Sequence, residues 1–400
     1  MLASLALIFL VGLAMGALCG QLKLPRIIGM LITGIVLGPY VLDFLDPSIL
    51  SISSELRKIA LIIILLKAGL SLDIKDLKKA GRPAVLLAFV PASCEIIGYV
   101  LLAPVILGVS TVEAAIMGAV LAAVSPAVVV PRMVMLMEQK YGTKKAIPQM
   151  IIAGASCDDI FVIVLFTTFL SMAQGGSANI MDFVNIPVSI VLGILLGIVF
   201  GLILYLFFET SYAHKHCVRN SMKVIIVLGC SFLLVSIESW LENKISVSGL
   251  LAVVSMACTL KMKSTAFVSK RLSEKFGKLW IAAEVMLFVL VGAAVDIRYT
   301  LSAGFSALLM IVVALLFRAV GVLICTAKTN LTAKERAFCV IAYLPKATVQ
   351  AAIGSVPLAA GLGCGKIVLS VAVLAIVVTA PLGAIGIDNT YKRWLEKEKC

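Results

Sequence analysis

Residues 119–133 read AVLAAVSPAVVVPRM, an apolar stretch that carries Pro126 near its middle and Pro131 further on. Residues 340–357, VIAYLPKATVQAAIGSVP, show the same pattern around Pro345. A proline inside a helix removes one backbone hydrogen bond and clashes with the preceding turn. Within a bilayer, such a break is tolerated where the freed carbonyl groups line a polar cavity. We therefore predict two broken membrane helices, at Pro126 and Pro345, beside a polar site.

The composition around these stretches indicates a membrane protein along the whole chain. It has 400 residues, of which 62% are hydrophobic and 14% are charged, and the mean hydropathy is +1.13. Apolar runs of about 20 residues, the length that crosses a bilayer core, recur from end to end. We predict an all-α integral membrane protein with about 13 transmembrane helices, at 2–20, 25–42, 56–72, 83–106, 112–137, 147–172, 183–208, 221–241, 246–260, 277–295, 301–326, 335–360 and 366–387.

The net charge of +13 is distributed as an orientation signal and not as a nucleic-acid surface. Most Lys and Arg residues fall in the loops after odd-numbered segments and in the C-terminal tail. The positive-inside rule then predicts that the N-terminus is outside and the C-terminus is in the cytoplasm of a cell (plasma or inner) membrane. Anionic lipids are candidate contacts of this basic face. The other loops, together with the ends of the segments that adjoin them, carry only Arg57, Lys58, Lys244, Arg298 and Lys366.

Two parts of the chain resemble each other. GLSLDI at 69–74 matches GAAVDI at 292–297, and at the same offset Glu95 corresponds to Arg318. The offset spans an odd number of segments, so the second copy must enter the membrane upside down, as in the inverted repeats of secondary transporters. We predict a first six-helix repeat at 1–182, a linker helix at 183–220, a second six-helix repeat at 221–390 and a short cytoplasmic tail at 391–400.

Ionisable residues inside the predicted spans mark the candidate site. Asp158 and Asp159 lie side by side within the apolar stretch 147–173, and each costs about 3 kcal/mol at the centre of a membrane helix. Such a pair is a functional-site hypothesis by default, for the binding of a cation, a proton, or both in turn. The compensating charges within the spans are Glu95, Arg318 and Lys346. Arg318 has two possible partners, Glu95 or Asp158, while Lys346 is expected to balance the broken helices and the Asp pair.

Four segments resemble a known family. GAVLAAVSPAVVVP (118–131), GASCDDIFVIVLF (154–166), LLFRAVGVL (315–323) and LPKATVQAAIG (344–354) resemble monovalent cation:proton antiporters of the antiporter-2 group, and within it the bacterial sodium/proton antiporters of the NHA type. The resemblance covers essentially the whole chain, with the segments in family order. It implies the sodium/proton antiporter fold, in which the two broken helices cross, with a core domain and a dimerisation domain.

The resemblance also implies roles for individual residues. Asp158 and Asp159 match the paired aspartates of the family, of which the second is the principal carrier of the ion and the proton. Glu95 and Lys346 match acidic and basic positions of the NHA-type members. Arg318 lies where relatives have Lys or Arg, and because Arg stays protonated the stoichiometry is left open. The family works as a homodimer by an elevator-like movement.

The residues themselves support a similar mechanism. Hard monovalent cations prefer oxygen ligands, and the candidates are the two carboxylates, the Ser125 and Ser156 hydroxyls and carbonyl groups of the broken helices. Competition of Na⁺ or Li⁺ with H⁺ for Asp158 and Asp159 then gives antiport by alternating access, with no cofactor. A K⁺/H⁺ antiporter and a Na⁺-coupled symporter of an organic anion remain alternatives. We predict that the protein is not an enzyme, because adjacent aspartates on one helix point about 100° apart and cannot form a protease dyad.

Overall fold

The computed structural model describes residues 1–22, 24–71, 74–174, 180–213, 219–241 and 247–398. Over these ranges it is built of α-helices, with one short 3₁₀ helix at Thr143–Lys145 and one isolated bridge between Tyr141 and Lys397. The prediction of an all-α fold is therefore confirmed. The helices are α1 (Leu2–Gln21), α2 (Arg26–Leu37), α3 (Pro47–Ser51), α4 (Ser53–Ser71), α5 (Ile74–Leu87), α6 (Val90–Leu107), α7 (Thr111–Ala122), α8 (Pro126–Glu138), α9 (Ile147–Gln174), α10 (Ile180–Ala213), α11 (Asn220–Leu241), α12 (Gly249–Lys263), α13 (Ala266–Ala293), α14 (Ile297–Thr326), α15 (Ala333–Ala342), α16 (Thr348–Ile353), α17 (Val356–Ala359) and α18 (Gly365–Trp394).

Nine stretches of the described residues are long and apolar enough to cross a membrane. Each coincides with a segment that the sequence predicts to span the bilayer. The other predicted segments coincide with α2, α4 and α12 and with the pair α15 and α16. The number of about 13 spans stays a prediction. The nine stretches are Leu2–Gln21, Gly81–Leu107, Thr111–Glu138, Ile147–Gln174, Val191–Glu209, Ser221–Glu238, Phe267–Ala293, Gly304–Thr326 and Gly365–Trp394.

The chain forms two compact units, each assembled from separate parts of the sequence. The larger unit comprises Met1–Arg57, Asp73–Ala173 and Val285–Cys400, and the smaller unit comprises Lys58–Leu72 and Gln174–Glu284. The predicted repeat boundaries come from the internal similarity of the sequence, whereas the two units are defined by their compactness, so the units do not test the boundaries. They stay a prediction.

Close packing of α10 on α12 organises the smaller unit. Gly193 and Gly197 of α10 face the backbone carbonyl groups of Ser248 and Ala252, where an added methyl group would collide. Small residues let helices approach closely in a membrane, where no hydrophobic effect drives them together.

The first helix break lies between α7 and α8, in the larger unit. α7 ends at Ala122, α8 begins at Pro126, and Ser125 between them has extended backbone with φ −87° and ψ 108°. Pro126 disfavours a helical conformation of the residue before it and has no N–H for an intrahelical bond, so the break falls immediately ahead of it. Pro131, by contrast, is accommodated inside α8.

The second break lies between α15 and α16 of the same unit. α15 ends at Ala342, α16 begins at Thr348, and Pro345 lies between them. The backbone N–H of Lys346 donates to the Thr379 hydroxyl of α18 at 3.0 Å. A neighbouring helix thus satisfies one of the backbone groups that the break frees. Both broken helices of the predicted fold are present.

The close approach of α18 to the second break depends on Gly383, because a methyl group at this position would overlap the ring of Pro345. We expect Gly383→Ala to displace Pro345 and to lower the free energy of unfolding by about 1–3 kcal/mol, the usual cost of overpacking. Thermal unfolding of the purified protein in detergent measures the change. Gly304→Ala in α14 is the matched control, since its added methyl group would have none of the described atoms within 4 Å and alanine favours a helix. Equal losses in the two variants would contradict the role of Gly383.

The connection between α8 and α9 is anchored by other parts of the larger unit. The Gly142 N–H donates to the carbonyl oxygen of Glu396 at 2.8 Å. The Lys145 ammonium contacts the Glu335 carboxylate at 2.8 Å, and this hydrogen bond raises the pKa of Lys145 above its usual value. Because α18 extends to Trp394, the predicted C-terminal tail partly belongs to this helix and partly packs on the connection.

Candidate functional site

The two helix breaks contact each other directly. The backbone N–H of Ser125, in the first break, donates to the carbonyl oxygen of Pro345, in the second, at 2.8 Å. The Gln350 side-chain amide, just after the second break, donates to the carbonyl oxygen of Ala123 at 2.7 Å. Two non-helical segments therefore meet inside the larger unit, at the place where the sequence predicts a polar site.

The Asp158 and Asp159 carboxylates of α9 lie at this crossing and differ in their partners. Asp158 is fully buried, and its Oδ2 accepts a hydrogen bond from the backbone N–H of Val124 in the first break at 2.7 Å. Asp159 is 6% exposed. Among the described residues, neither Asp158 Oδ1 nor Asp159 Oδ1 has a hydrogen-bond partner. Each buried carboxylate therefore keeps an oxygen that is available to a ligand.

The Arg318 guanidinium of α14 joins four groups around the crossing. It donates from Nη1 to Glu95 at 2.8 Å, from Nη2 to Asp158 at 3.1 Å and from Nε to the carbonyl oxygen of Tyr343 at 2.7 Å. Nη1 also donates to the carbonyl oxygen of Ala122. The sequence left open whether Arg318 pairs with Glu95 or with Asp158, and in the structure it pairs with both. It also caps α7 and α15, whose C-terminal ends carry partial negative charge.

Lys346 contacts Glu95. Its ammonium donates to Glu95 Oε2 at 2.8 Å, which is the same oxygen that accepts from Arg318, and both Glu95 and Lys346 are at least 99% buried. The expectation that Lys346 balances the Asp pair is therefore replaced by a direct ion pair with Glu95. In the described residues of this cluster, three carboxylates accompany two cationic side chains, so the cluster carries one surplus negative charge when every group is ionised.

Buried hydroxyl groups supply further oxygen atoms. Ser125 is fully buried in the first break, and its Oγ has no hydrogen-bond partner among the described residues. The side chain of Ser156 lies outside the described residues. Sequence reasoning missed Thr348, whose buried Oγ1 also has no such partner. Its place directly after the second break was the available signal, since Ser125 ends the first break in a similar way.

The carbonyl groups at the first break are less available than the sequence implied. Gln350 Nε2 donates to the carbonyl oxygens of Ala123 and Leu121, and Arg318 donates to that of Ala122. Gln350, which is fully buried, was also missed by sequence reasoning. An amide side chain in an apolar segment carries no charge to draw attention to it.

Two broken helices that meet beside a buried acidic pair, inside a chain rich in helices long enough to span a membrane, define a polytopic membrane protein with a charged, buried centre. Residues 5–391 match the family described as sodium/hydrogen exchanger, transmembrane. The chain therefore belongs to the sodium/hydrogen exchanger family and is a multi-pass integral membrane protein.

Two similar proteins are also named as sodium/hydrogen exchangers. The chain is 34% identical over 422 residues to sodium/hydrogen exchanger 9B2 of Homo sapiens, covering 99% of this chain and 75% of that protein. It is 33% identical over 392 residues to sodium/hydrogen exchanger 9B1 of Mus musculus, covering 94% of this chain and 67% of that protein.

A solved structure shares the fold. The sodium proton antiporter MjNhaP1 from Methanocaldococcus jannaschii, at pH 8, superposes with a TM-score of 0.83 and 19% sequence identity, over 98% of both chains. At this identity the likeness concerns the fold alone. The predicted sodium/proton antiporter fold is confirmed, and so is the prediction of a sodium/proton exchanger at the level of the family.

Proposed function

We propose that this chain exchanges Na⁺ or Li⁺ for H⁺ by alternating access, with the two ions competing for Asp158 and Asp159. The observation that carries the proposal is the charge balance of the crossing, where three buried carboxylates accompany two buried cationic side chains. A single proton or a single monovalent cation neutralises the surplus. Two ions that neutralise the same charge exclude each other, and this exclusion is the basis of coupling.

The two aspartates have different roles in this proposal. Asp158 is held in place by the Val124 N–H and by Arg318 through a single oxygen, Oδ2. Asp159 has no such anchor among the contacts described for this part of the chain. Asp159 is therefore the carboxylate that trades a proton for a cation. Asp158 is its electrostatic partner and a cation ligand through Oδ1.

The cation is bound by side-chain oxygens. Asp158 Oδ1, Asp159 Oδ1, Ser125 Oγ and Thr348 Oγ1 are buried and have no hydrogen-bond partner in the described structure. Carboxylate and hydroxyl oxygens suit hard cations, in line with binding of Na⁺ or Li⁺. Ser156 lies two residues before Asp158 in α9 and stays a predicted ligand.

Charge also explains why the exchange is obligatory. An empty site carries a surplus negative charge, which is costly to move through a low-dielectric barrier. The neutral site, filled by either ion, is free of this cost. Because Arg318 cannot release its proton and Lys346 is paired with Glu95, one proton moves for each cation, and the exchange is electroneutral.

Location and assembly follow from the charge distribution and the family resemblance. The chain lies in the cell membrane with its N-terminus outside and its C-terminus in the cytoplasm, and anionic lipids contact its basic cytoplasmic face. It works as a homodimer with an elevator-like movement. Within the family it falls in the NHA-type branch of the antiporter-2 group, which the buried set of Glu95, Arg318 and Lys346 supports.

Exchange in proteoliposomes tests the proposal. We expect Na⁺ and Li⁺ to dissipate an imposed pH gradient, at a rate that does not change when the membrane potential is clamped. A preference for K⁺ would favour the K⁺/H⁺ alternative, and a dependence on potential would contradict the one-for-one stoichiometry. Absence of cation-driven proton movement, together with counterflow of a labelled organic anion, would favour the Na⁺-coupled symporter.

A further inference from the structure

The side-chain amide of Gln350 links the two helix breaks. Its Oε1 accepts a hydrogen bond from the backbone N–H of Ala347, in the second break, at 2.7 Å. Its Nε2 donates to the carbonyl oxygen of Ala123, in the first break, at 2.7 Å and to that of Leu121 at 3.4 Å. The side chain is fully buried, so these bonds are made without competition from solvent.

These bonds decide which oxygen atoms face the candidate cation site. The last carbonyl groups of a helix lack intrahelical partners, and at a break beside an ion site they are potential ligands. Here the carbonyl oxygens of Leu121 and Ala123 accept from Gln350, and that of Ala122 accepts from Arg318. Among the described side chains at this crossing, those of Ser125, Thr348, Asp158 and Asp159 each have a buried oxygen without a hydrogen-bond partner, as do those of Glu95 and Tyr343.

Cation selectivity depends on the number of ligands and on the rigidity of the site that holds them. A few oxygens at fixed positions favour a small cation, whereas additional carbonyl ligands at a looser site accommodate a larger one. Gln350 affects both the number of ligands and the rigidity of the site. Its amide occupies two carbonyl groups by hydrogen bonding, and it fixes the separation of the segments that carry Ser125 and Thr348.

We propose that Gln350 is a positioning residue for cation selectivity. It ties the first break to the second and keeps the Leu121 and Ala123 carbonyl groups out of the cation site, so that the site favours Na⁺ or Li⁺ over K⁺. This inference rests on the proposed exchange function. It adds to that function a residue that never touches the transported ion.

The test is the selectivity of Gln350→Met, which has nearly the same volume but no donor or acceptor of this kind. Exchange is measured in proteoliposomes with Na⁺, Li⁺ and K⁺, and the apparent KM is determined for each. We expect the ratio of the KM for K⁺ to that for Na⁺ to fall about fivefold to tenfold, the effect of one or two neutral hydrogen bonds. A general loss of stability lowers the maximal rate for all three cations alike and leaves this ratio unchanged.

Thr326→Val is the matched control. Thr326 is fully buried, and its hydroxyl donates within its own helix, α14, at 2.9 Å. Its removal is expected to leave the KM ratio at the wild-type value. A second variant, Gln350→Asn, keeps the amide but is one methylene shorter, so it reaches only one of the two breaks and is expected to lower the ratio as well.

The outcomes separate this inference from the function on which it rests. If the wild-type protein exchanges no cation for protons, the proposed function fails. If the wild-type protein exchanges cations while either folded Gln350 variant keeps the wild-type KM ratio, the positioning role is overturned. A lowered ratio in the Gln350 variants and an unchanged ratio in Thr326→Val support it.

Discussion

Replacing Asp159 with asparagine is expected to abolish Na⁺/H⁺ exchange in proteoliposomes. The substitution preserves the shape of the side chain and removes the surplus negative charge of the crossing. Two carboxylates then accompany two cationic side chains, so neither a proton nor a cation is needed to neutralise the site. The measurement is the Na⁺-dependent change in internal pH, which should fall to the level of liposomes without protein.

Asp43→Asn is the control for this substitution, because Asp43 lies exposed in the connection after α2 and should tolerate the change. Asp158→Asn is expected to impair exchange too, since Arg318 and the Val124 N–H lose a charged acceptor. Exchange at the wild-type rate by a folded Asp159→Asn protein would rule out Asp159 as the carrier of either ion.

The largest loss of stability is expected from Arg318→Met. This change leaves the Glu95 and Asp158 carboxylates without their guanidinium partner and frees the carbonyl groups of Ala122 and Tyr343. Removing one partner of a buried ion pair costs about 3–5 kcal/mol, which is a large share of the stability of most proteins. Thermal unfolding in detergent should show it. Arg318→Lys should recover only part of the lost stability, because a single ammonium cannot donate to all four acceptors in the way that the planar guanidinium does.

Exchanging the charges of Glu95 and Arg318 tests whether this ion pair is independent of its neighbours. Considered as an isolated pair, Glu95→Arg with Arg318→Glu should restore what each single change loses. In the structure the new arginine would face Lys346 and the new glutamate would face Asp158, so we expect no recovery. The same exchange at the more exposed pair Arg132 and Asp388 should be nearly neutral, since exposed pairs contribute about 0–1 kcal/mol. A double variant more stable than both single variants would show that the Glu95–Arg318 pair acts alone.

Local chemistry was predictable at the breaks and at the aspartates. Pro126 and Pro345 act on their own helices, so the positions of the breaks follow from a short stretch of chain. The cost of placing Asp158 and Asp159 in an apolar segment is equally local. The exact number of spans was harder to predict, because helices as short as α2 and α12 fall below the length that crosses a bilayer alone.

The partners of the buried charges could not be read from the chain. Glu95 accepts from both Arg318 and Lys346, which are distant from it in sequence, and only the packing of α6, α14 and the second break brings them together. The internal repeat indicated that Glu95 could pair with Arg318, because the two occupy corresponding positions. It gave no reason for Arg318 to reach Asp158 as well.

The sequence by itself determined that the chain crosses a membrane, that two of its helices break at prolines, and that an acidic pair lies within an apolar segment of membrane-spanning length. Each of these follows from a property of neighbouring residues, namely their hydropathy, their backbone restriction or their cost of burial. Only the tertiary structure decided which oxygens stay without a partner once Arg318 and Gln350 have made their bonds. That outcome depends on distances of about 3 Å between segments far apart in the chain, to which hydrogen bonds are sensitive and sequence patterns are not.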